Sequence, residues 1–259
     1  MKIAVCVKQV PDSETRIHLP GPAAELDRSG FTRTLNPYDA YAVEEAVRIK
    51  EKSGAAEITV VTIGPDTVKE TLKKDCLAVG CDKAVIVNDP ALAEADEAAV
   101  ATVLAAFLRK ERYDLILMGI KAIDDDSGQV GILVADKLGL PHVATVTKLE
   151  LGDGRLTAHR EIEGGKEVVE AALPAVVTCQ KGLNEPRLPS LPNIMKAGMK
   201  PLAMMSCADL GIIVPVNKVR IVQYVPPAAR SGCKMVEGED AAAAARELAR
   251  LLNEEAKVI

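Results

Sequence analysis

The chain has 259 residues, 48% of them hydrophobic and 27% charged, which is long enough for a substantial core and too apolar for disorder. A formal net charge of -5, without a run rich in lysine and arginine, argues against a nucleic-acid partner. Aromatic residues make up only 2%, so base-stacking platforms for single-stranded nucleic acid are not expected either.

The amino-terminal segment is predicted to be a buried strand. Its apolar run, Ile3 to Val7, is followed directly by Lys8 without a small-residue cleavage site, which argues against a secretion signal. No run of about 18 apolar residues is present, so we expect a soluble, cytoplasmic protein without a membrane span. The six cysteines are scattered, and we interpret them as reduced thiols without a metal or disulfide role.

Strands and helices alternate through the first half of the chain. After the first strand, the pattern predicts strands at 57–63, 84–87 and 115–118, and helices at 40–52, 67–79, 95–110 and 129–138. Asn36 or Asp39 is placed to cap the first helix, in which Glu44, Glu45, Arg48 and Lys50 are predicted to face solvent. This alternation indicates a parallel sheet with right-handed crossovers and helices on both faces.

The pattern changes after about residue 145. Turn signals at 152–154 and 164–165 predict antiparallel strands at 145–151, 156–162 and 166–171, followed by a strand at 175–179 that rejoins the sheet. A long loop is expected at 182–201, a strand at 218–224 and an extended connector at Pro226-Pro227. A final helix at 241–256 has few neighbours in its own domain, so we expect it to dock on a partner chain.

The most informative segment runs from Gly119 to Gly131. It leaves the carboxyl end of a predicted strand and enters a helix, which is where open α/β sheets bind ligands. Backbone amides around Ser127 to Val130 suit a phosphate. Three consecutive acids, Asp124 to Asp126, would repel an anion, so a solvated capped turn and a divalent-cation site remain alternatives.

Three motifs in this order resemble the beta subunit of electron-transfer flavoproteins. They are Asn36-Pro37-Tyr38-Asp39 followed by Ala42-Val43-Glu44-Glu45-Ala46, then Ala122-Ile123-Asp124-Asp125-Asp126, and then Leu183-Asn184-Glu185-Pro186-Arg187 running into Leu191-Pro192-Asn193-Ile194-Met195-Lys196-Ala197. The resemblance implies a Rossmann-like fold, an AMP in this subunit and an alpha-subunit partner that holds most of the FAD. It implies an electron carrier and not an enzyme. Electrons would pass from acyl-CoA dehydrogenase-type flavoenzymes of fatty acid beta-oxidation to a membrane-associated, quinone-linked oxidoreductase.

The resemblance also assigns candidate site residues by position. The AMP pocket would comprise Cys6, Asn36, Pro37, Tyr38, Asp39, Ile63, Gly119, Ile120, Lys121, Ala122, Ile123, Asp124, Asp125, Asp126, Ser127, Gly128, Gln129 and Val130. A recognition loop at 183–200 would dock on the flavoenzymes through Leu191, with Pro192, Asn193, Ile194 and Met195 beside it. Relatives carry a run of lysines where this chain has Gly198-Met199-Lys200. Residues 1–225 would form the nucleotide-binding domain and 226–259 an arm on the alpha subunit.

Alternative functions remain open at this point. The opening Val5-Cys6-Val7-Lys8-Gln9-Val10-Pro11-Asp12 resembles the bifurcating branch of the family, whose beta subunit binds a second FAD in place of AMP. A stand-alone adenine-nucleotide-binding signalling module would use the same kind of fold. An enzyme acting on a nucleotide is disfavoured, because no paired nucleophile and base is apparent.

Overall fold

The computed structural model describes residues 1–19, 26–225, 228 and 232–259. The strands are β1 (Lys2–Cys6), β2 (Gln9–Pro11), β3 (Arg33–Leu35), β4 (Glu57–Ile63), β5 (Lys83–Val87), β6 (Leu115–Gly119), β7 (His142–Gly152), β8 (Arg155–Ile162), β9 (Gly165–Ala172), β10 (Ala175–Cys179) and β11 (Leu202–Met205). The helices are α1 (Pro37–Ser53), α2 (Val68–Leu72), α3 (Glu97–Lys110), α4 (Val130–Leu138), α5 (Leu191–Ala197) and α6 (Ala241–Glu254).

A nine-stranded sheet in the order β11-β5-β4-β1-β6-β10-β7-β8-β9 forms the centre of the protein. Every pairing from β11 to β7 is parallel, and β7, β8 and β9 continue the sheet as an antiparallel extension. One apolar layer packs the sheet against α1, α2 and α5, and a second packs it against α3 and α4. The predicted fold class is therefore confirmed: a mostly parallel α/β sheet with helices on both faces, an antiparallel extension and a C-terminal helix.

Local sequence signals account for the bounds of most helices. Asn36 is the N-cap residue of α1, Pro37 opens it, and Gly54 ends it in the left-handed conformation that glycine adopts without steric cost. In α3 the Asp96 carboxylate accepts a hydrogen bond from the Ala99 N–H at 2.8 Å. The predicted helix at 67–79 is only partly α-helical, because α2 continues into a π-helical turn at Lys73–Leu77.

The prediction that Glu44 and Glu45 face solvent is wrong. Both lie on the covered side of α1, with exposed fractions of 4% and 8%. Buried carboxylates need polar partners. Those partners, Arg187 and Asn184, come from a loop more than one hundred residues away in sequence, so the helical pattern of α1 alone does not reveal them.

The predicted meander is confirmed, with differences in the segments that follow. The hairpin between β7 and β8 turns at Asp153 and Gly154, both at positive φ, as the turn signal predicts. The predicted loop at 182–201 contains α5, and its Ala197 is buried against the core. The edge strand β11 and the small sheet of β2 and β3 were not predicted.

The C-terminal region differs most from expectation. The predicted strand at 218–224 does not form: these residues have no regular secondary structure in the described chain. The predicted connector at Pro226-Pro227 lies outside the described residues. Helix α6 forms as predicted, and none of its residues is buried within the described chain. Across the described ranges, every helix is too short or too polar to cross a bilayer.

Candidate functional site

The candidate site lies where the strand order of the sheet reverses. From β1 the chain first adds β4 and β5 on one side and later β6 and β10 on the other. Helices therefore leave the carboxyl ends of β1 and β6 towards opposite faces, and open α/β sheets bind ligands in the crevice at such a switch point. Lys8 follows β1 and Gly119 ends β6, so these two backbone positions form the floor of the crevice.

Asp39, in the first turn of α1, connects the two strand ends. Its carboxylate accepts the Lys8 N–H at 2.7 Å and the Gly119 N–H at 3.0 Å. A Cβ at Gly119 would collide with the Asp39 carboxylate and with the backbone and Cβ of Tyr38, so only glycine fits there. The side chain predicted to contact a ligand therefore positions the floor of the crevice.

Asn36, at the N-cap position of α1, has a similar role. Its side chain makes no capping hydrogen bond within α1. Instead, its Nδ2 donates to the Lys121 carbonyl at 2.8 Å, and its Oδ1 accepts the Ile123 N–H at 3.3 Å. Asn36 and Asp39 thus hold the segment 119–123 from the start of α1. The helix-cap spacing placed Asn36 correctly, but it did not predict that the side chain would bind a distant loop.

The acidic turn above the crevice is paired with lysines. The Lys8 Nζ lies 2.8 Å from an Asp124 carboxylate oxygen and 2.6 Å from one of Asp125, and the Lys121 Nζ lies 2.7 Å from Asp126. Two ammonium groups offset two of the three carboxylate charges. Repulsion of an anion is thereby reduced, and the pairing with lysines does not favour the divalent-cation alternative.

The amino end of α4 follows this turn in the chain. Gln129, the N-cap residue of α4, makes no side-chain capping bond, and the first N–H groups of an α-helix have no acceptor within the helix. At Gly131, in this first turn, a Cβ would collide with the Thr178 methyl group, which keeps the helix start close to β10. Helix-start amides of this kind bind phosphate groups.

One predicted phosphate ligand is already engaged. The Ser127 N–H donates to the Asp125 carboxylate at 3.0 Å, so it is not open to a phosphate, and the N–H groups of the helix start begin at Val130. Asp126 and Gly128 adopt positive φ, at 58° and 62°. Aspartate tolerates this conformation better than most residues, and glycine adopts it freely. The sharp turn therefore explains both residue types.

The electrostatics of the floor depend on burial. Burial raises the pKa of Asp39 to about 7, although the hydrogen bonds from Lys8, Asn36 and Gly119 favour the charged form. Burial also raises the pKa of the Cys6 thiol, with a further contribution from the Asp39 charge, so Cys6 stays protonated at neutral pH. Burial acts to raise the pKa of Asp125 as well, but hydrogen bonds from Lys8 and Ser127 outweigh it and hold this pKa below its usual value.

The remaining predicted pocket residues divide into lining and supporting groups. Tyr38 and Ile63 are half-buried, and the Lys121 ammonium lies 5.9 Å from the centroid of the Tyr38 ring. Pro37 is exposed, whereas Cys6 is only 3% exposed and lies beneath the crevice. Lys8 was not among the predicted site residues. Its position just after the predicted first strand, at a strand end where ligands bind, could have identified it as a site residue.

Two shallow surface depressions lie away from the crevice. One, of about 460 Å³, is lined by Glu44, Arg48 and Asn184 among others, and one of about 360 Å³ by residues that include His159 and Lys181. Both are open and lined largely by charged and polar side chains. Neither touches the ends of β1 or β6, so the switch point remains the candidate nucleotide site on topological grounds.

A second candidate site is an exposed apolar surface around α5. Leu191 and Met195 are 79% and 80% exposed, Ile194 is also exposed, and Pro192 and Asn193 lie between them. Two further apolar side chains on this surface, Leu188 and Met199, were not predicted. We call residues 188–196 the docking segment. Exposed apolar side chains clustered on a short segment are typical of a protein-interaction surface.

Comparison with known proteins assigns the family. A family model described as "Electron transfer flavoprotein domain" matches residues 25–210. The "Electron transfer flavoprotein subunit beta" of Bacillus subtilis (strain 168) is 41% identical over 264 residues, covering 100% of both chains. The subunit of that name from Bos taurus is 38% identical over 97% of this chain and 99% of the relative. The chain belongs to the electron transfer flavoprotein family.

The resemblance inferred from three motifs is therefore confirmed, and the relatives named as electron transfer flavoproteins are beta subunits. The "Caffeyl-CoA reductase-Etf complex subunit CarD" of Acetobacterium woodii is also similar, at 36% identity over 92% of each chain. Membership in the electron transfer flavoprotein family makes the chain a component of an electron carrier. The matched residues 25–210 include Asn36, Asp39 and the docking segment, whereas α6 lies outside them.

Proposed function

We propose that this chain is the beta subunit of a heterodimeric electron-transfer flavoprotein and binds AMP in the crevice between β1 and β6. The alpha subunit would hold the FAD, which supplies the redox chemistry. The chain's own residues would bind the adenylate, fix the geometry of the crevice and present the surfaces that partners recognise. On this proposal AMP has a structural role, and the protein works in the cytoplasm.

The observation that carries the nucleotide proposal is the convergence at the switch point. The uncapped start of α4, the glycine floor at Gly119 and the lysine-paired turn at 124–126 lie around one crevice. The main-chain donors of α4 suit a phosphate, and the half-buried Tyr38 and Ile63 supply apolar surface near the strand ends. Asn36 and Asp39 hold the loop in place through its backbone groups at Gly119, Lys121 and Ile123, so the donors proposed to meet the phosphate are those at the start of α4.

A second FAD in place of AMP is the alternative within the family. The similarity to the CarD subunit of a caffeyl-CoA reductase-Etf complex and the opening Val5–Asp12 favour it. The acidic turn favours AMP, because the remaining carboxylate charge at 124–126 would repel the additional phosphate of a dinucleotide. We therefore place AMP first.

Nucleotide content tests the choice directly. We expect the purified alpha–beta heterodimer, denatured and analysed by liquid chromatography, to release about one AMP and one FAD per dimer. Two FAD without AMP would establish the bifurcating arrangement. One FAD without any adenylate would contradict the nucleotide proposal as a whole.

The docking segment is the proposed contact with acyl-CoA dehydrogenase-type flavoenzymes, from which electrons would pass on to a membrane-associated, quinone-linked oxidoreductase. Leu191 is the proposed anchor, because it is large, apolar and 79% exposed at the start of α5. An exposed leucine on an ordered helix can fill a partner pocket at little cost in entropy. The same segment carries one lysine, Lys196, so apolar contact is expected to outweigh electrostatic steering.

The C-terminal arm, residues 226–259, is proposed to dock on the alpha subunit. Ala244, Leu248, Leu251 and Leu252 share one face of α6, yet no residue of this helix is buried in the described chain. An amphipathic helix of this kind gains most of its stability by packing its apolar face on a neighbour.

Leu248→Glu therefore should weaken the heterodimer, since it places a charge on the proposed contact face. We expect an increase in the alpha–beta dissociation constant of about 100-fold or more, equivalent to about 3 kcal/mol. Analytical ultracentrifugation of the two chains measures this. Asn253→Glu adds the same charge about 140° around the helix and serves as the control. Equal effects of the two substitutions would contradict docking through this face.

The stand-alone signalling module is disfavoured by family membership and by the uncovered face of α6. It would require a chain that is stable without a partner, whereas an exposed apolar helix face favours association.

A further inference from the structure

The amino-terminal side of the docking segment is clamped to α1 by one arginine. The Arg187 Nε and Nη2 atoms donate to both carboxylate oxygens of Glu44, at 2.9 and 3.0 Å. Its Nη1 and Nη2 atoms also donate to both oxygens of Glu51, at 2.5 and 2.9 Å. The Glu44 side chain is only 6% exposed, so half of this double fork lies in a largely water-free environment.

Asn184 extends the clamp one turn along α1. Its Nδ2 donates to the Tyr41 carbonyl at 3.0 Å and to the Glu45 carboxylate at 2.9 Å. Glu45 is 8% exposed, and burial raises its pKa, while the Asn184 amide favours the charged form. The stretch 184–187 is therefore fixed to the helix through both of the buried glutamates.

The carboxyl-terminal side of the docking segment has a separate attachment. Ala197, the last residue of α5, is buried against the core. The Lys200 Nζ donates to the carbonyls of Leu77 and Cys81, at 2.8 and 2.7 Å, at the end of the π-helical turn. The apolar side chains of Leu188, Leu191 and Met195 are presented between these two attachments and remain mostly exposed.

We propose that Arg187 is a positioning residue for partner docking: its double fork to Glu44 and Glu51 holds the docking segment in the orientation in which Leu191 enters a partner flavoenzyme. This inference rests on the docking role proposed above. Arg187 does not itself belong to the exposed apolar surface. It acts by lowering the conformational entropy that the segment would lose on binding.

The geometry requires arginine and not merely a positive charge. A guanidinium group carries five N–H donors in a planar fork and can bind both oxygens of two carboxylates, whereas a lysine ammonium has three donors on one nitrogen atom and cannot form two such forks. Arg187→Lys retains the charge beside the buried Glu44 and should fold, but it cannot reproduce the four bonds that pair the guanidinium with both oxygens of each glutamate. The same substitution at Arg28, which forms a fork with Glu94 elsewhere on the surface, is the matched control.

The experiment uses the intact heterodimer and measures its reduction by substrate-reduced acyl-CoA dehydrogenases from the same organism. For Arg187→Lys we expect KM for the heterodimer to rise about tenfold, equivalent to about 1.4 kcal/mol, with kcat unchanged. Arg28→Lys should leave both constants unchanged. In addition, hydrogen exchange of the amides at 188–196 should become faster in Arg187→Lys and not in Arg28→Lys.

Leu191→Ala distinguishes the docking role of Leu191 from the positioning role of Arg187. If Leu191 is the anchor, Leu191→Ala raises KM, and Arg187→Lys adds little to it because both changes act on one contact. If Leu191→Ala has no effect while Arg187→Lys still accelerates exchange at 188–196, the clamp stands and the docking assignment fails. Unchanged exchange in Arg187→Lys, or a loss of thermal stability with unchanged KM, would overturn the positioning role.

Discussion

Gly119→Ala is expected to lower the melting temperature of the protein and to abolish retention of the adenylate. The added Cβ would meet the Asp39 carboxylate and Tyr38 at distances that real Cβ atoms do not adopt, and Asp39 cannot retreat without losing its bonds to the backbone. Such overpacking costs about 3 kcal/mol. For a chain of this size it corresponds to a decrease in Tm of roughly 6–12 °C by calorimetry.

Gly152→Ala is the control for this change. Gly152 also ends a strand, but an added Cβ there would have no neighbour within 4 Å. We expect its melting temperature and nucleotide content to stay at the wild-type values. Retention of stoichiometric AMP in Gly119→Ala would show that the adenylate does not depend on this floor and would place it elsewhere.

Asp39→Asn is expected to change how stability depends on pH. Burial raises the pKa of Asp39 from 3.8 to about 7 in the folded protein, so the folded state binds this proton more tightly than the unfolded state. The stability gained from Asp39 is therefore complete below about pH 4 and is lost as pH rises through about 7. A shift of about three pKa units is worth on the order of 4 kcal/mol across this interval.

Asparagine cannot titrate, so the Asp39→Asn variant should lose this part of the dependence of stability on pH. We expect the difference in Tm between wild type and Asp39→Asn to be largest near pH 4 and to shrink towards about pH 8. Asp209→Asn is the control, because hydrogen bonds from Ser206 lower the pKa of Asp209 and its titration lies below this range. Parallel pH profiles for wild type and Asp39→Asn would contradict a raised pKa at this position.

Much of the fold could be predicted from the sequence because its signals are local. Helical and strand periodicity, the glycines at 54 and 139 and the turn at 152–154 each act within a few residues, and the structure follows them. The missed strands β2, β3 and β11 are short. Their pairing depends on distant partners, as in the register that joins Leu202 to Ala84, which no local pattern contains.

For the candidate site too, the sequence identified residues but not their distant hydrogen-bond partners. The resemblance selected Asn36, Asp39 and the 119–130 loop, and the structure brings them together at one crevice. It could not reveal that Asn36 and Asp39 are engaged by backbone groups or that Lys8 pairs with the acidic turn. Glu44 was misjudged for a related reason, since the arginine that allows its burial follows it by 143 positions.

A single helix, α1, supports both of the proposed functional regions. Its first turn holds the loop of the crevice through Asn36 and Asp39, and its later turns receive Arg187. The outward side chains of the docking segment take no part in either set of bonds. If the docking segment and the crevice act as proposed, the choice of redox partner can diverge among descendants of this protein by exchange of those outward residues, while inherited changes in α1 would disturb both proposed sites together.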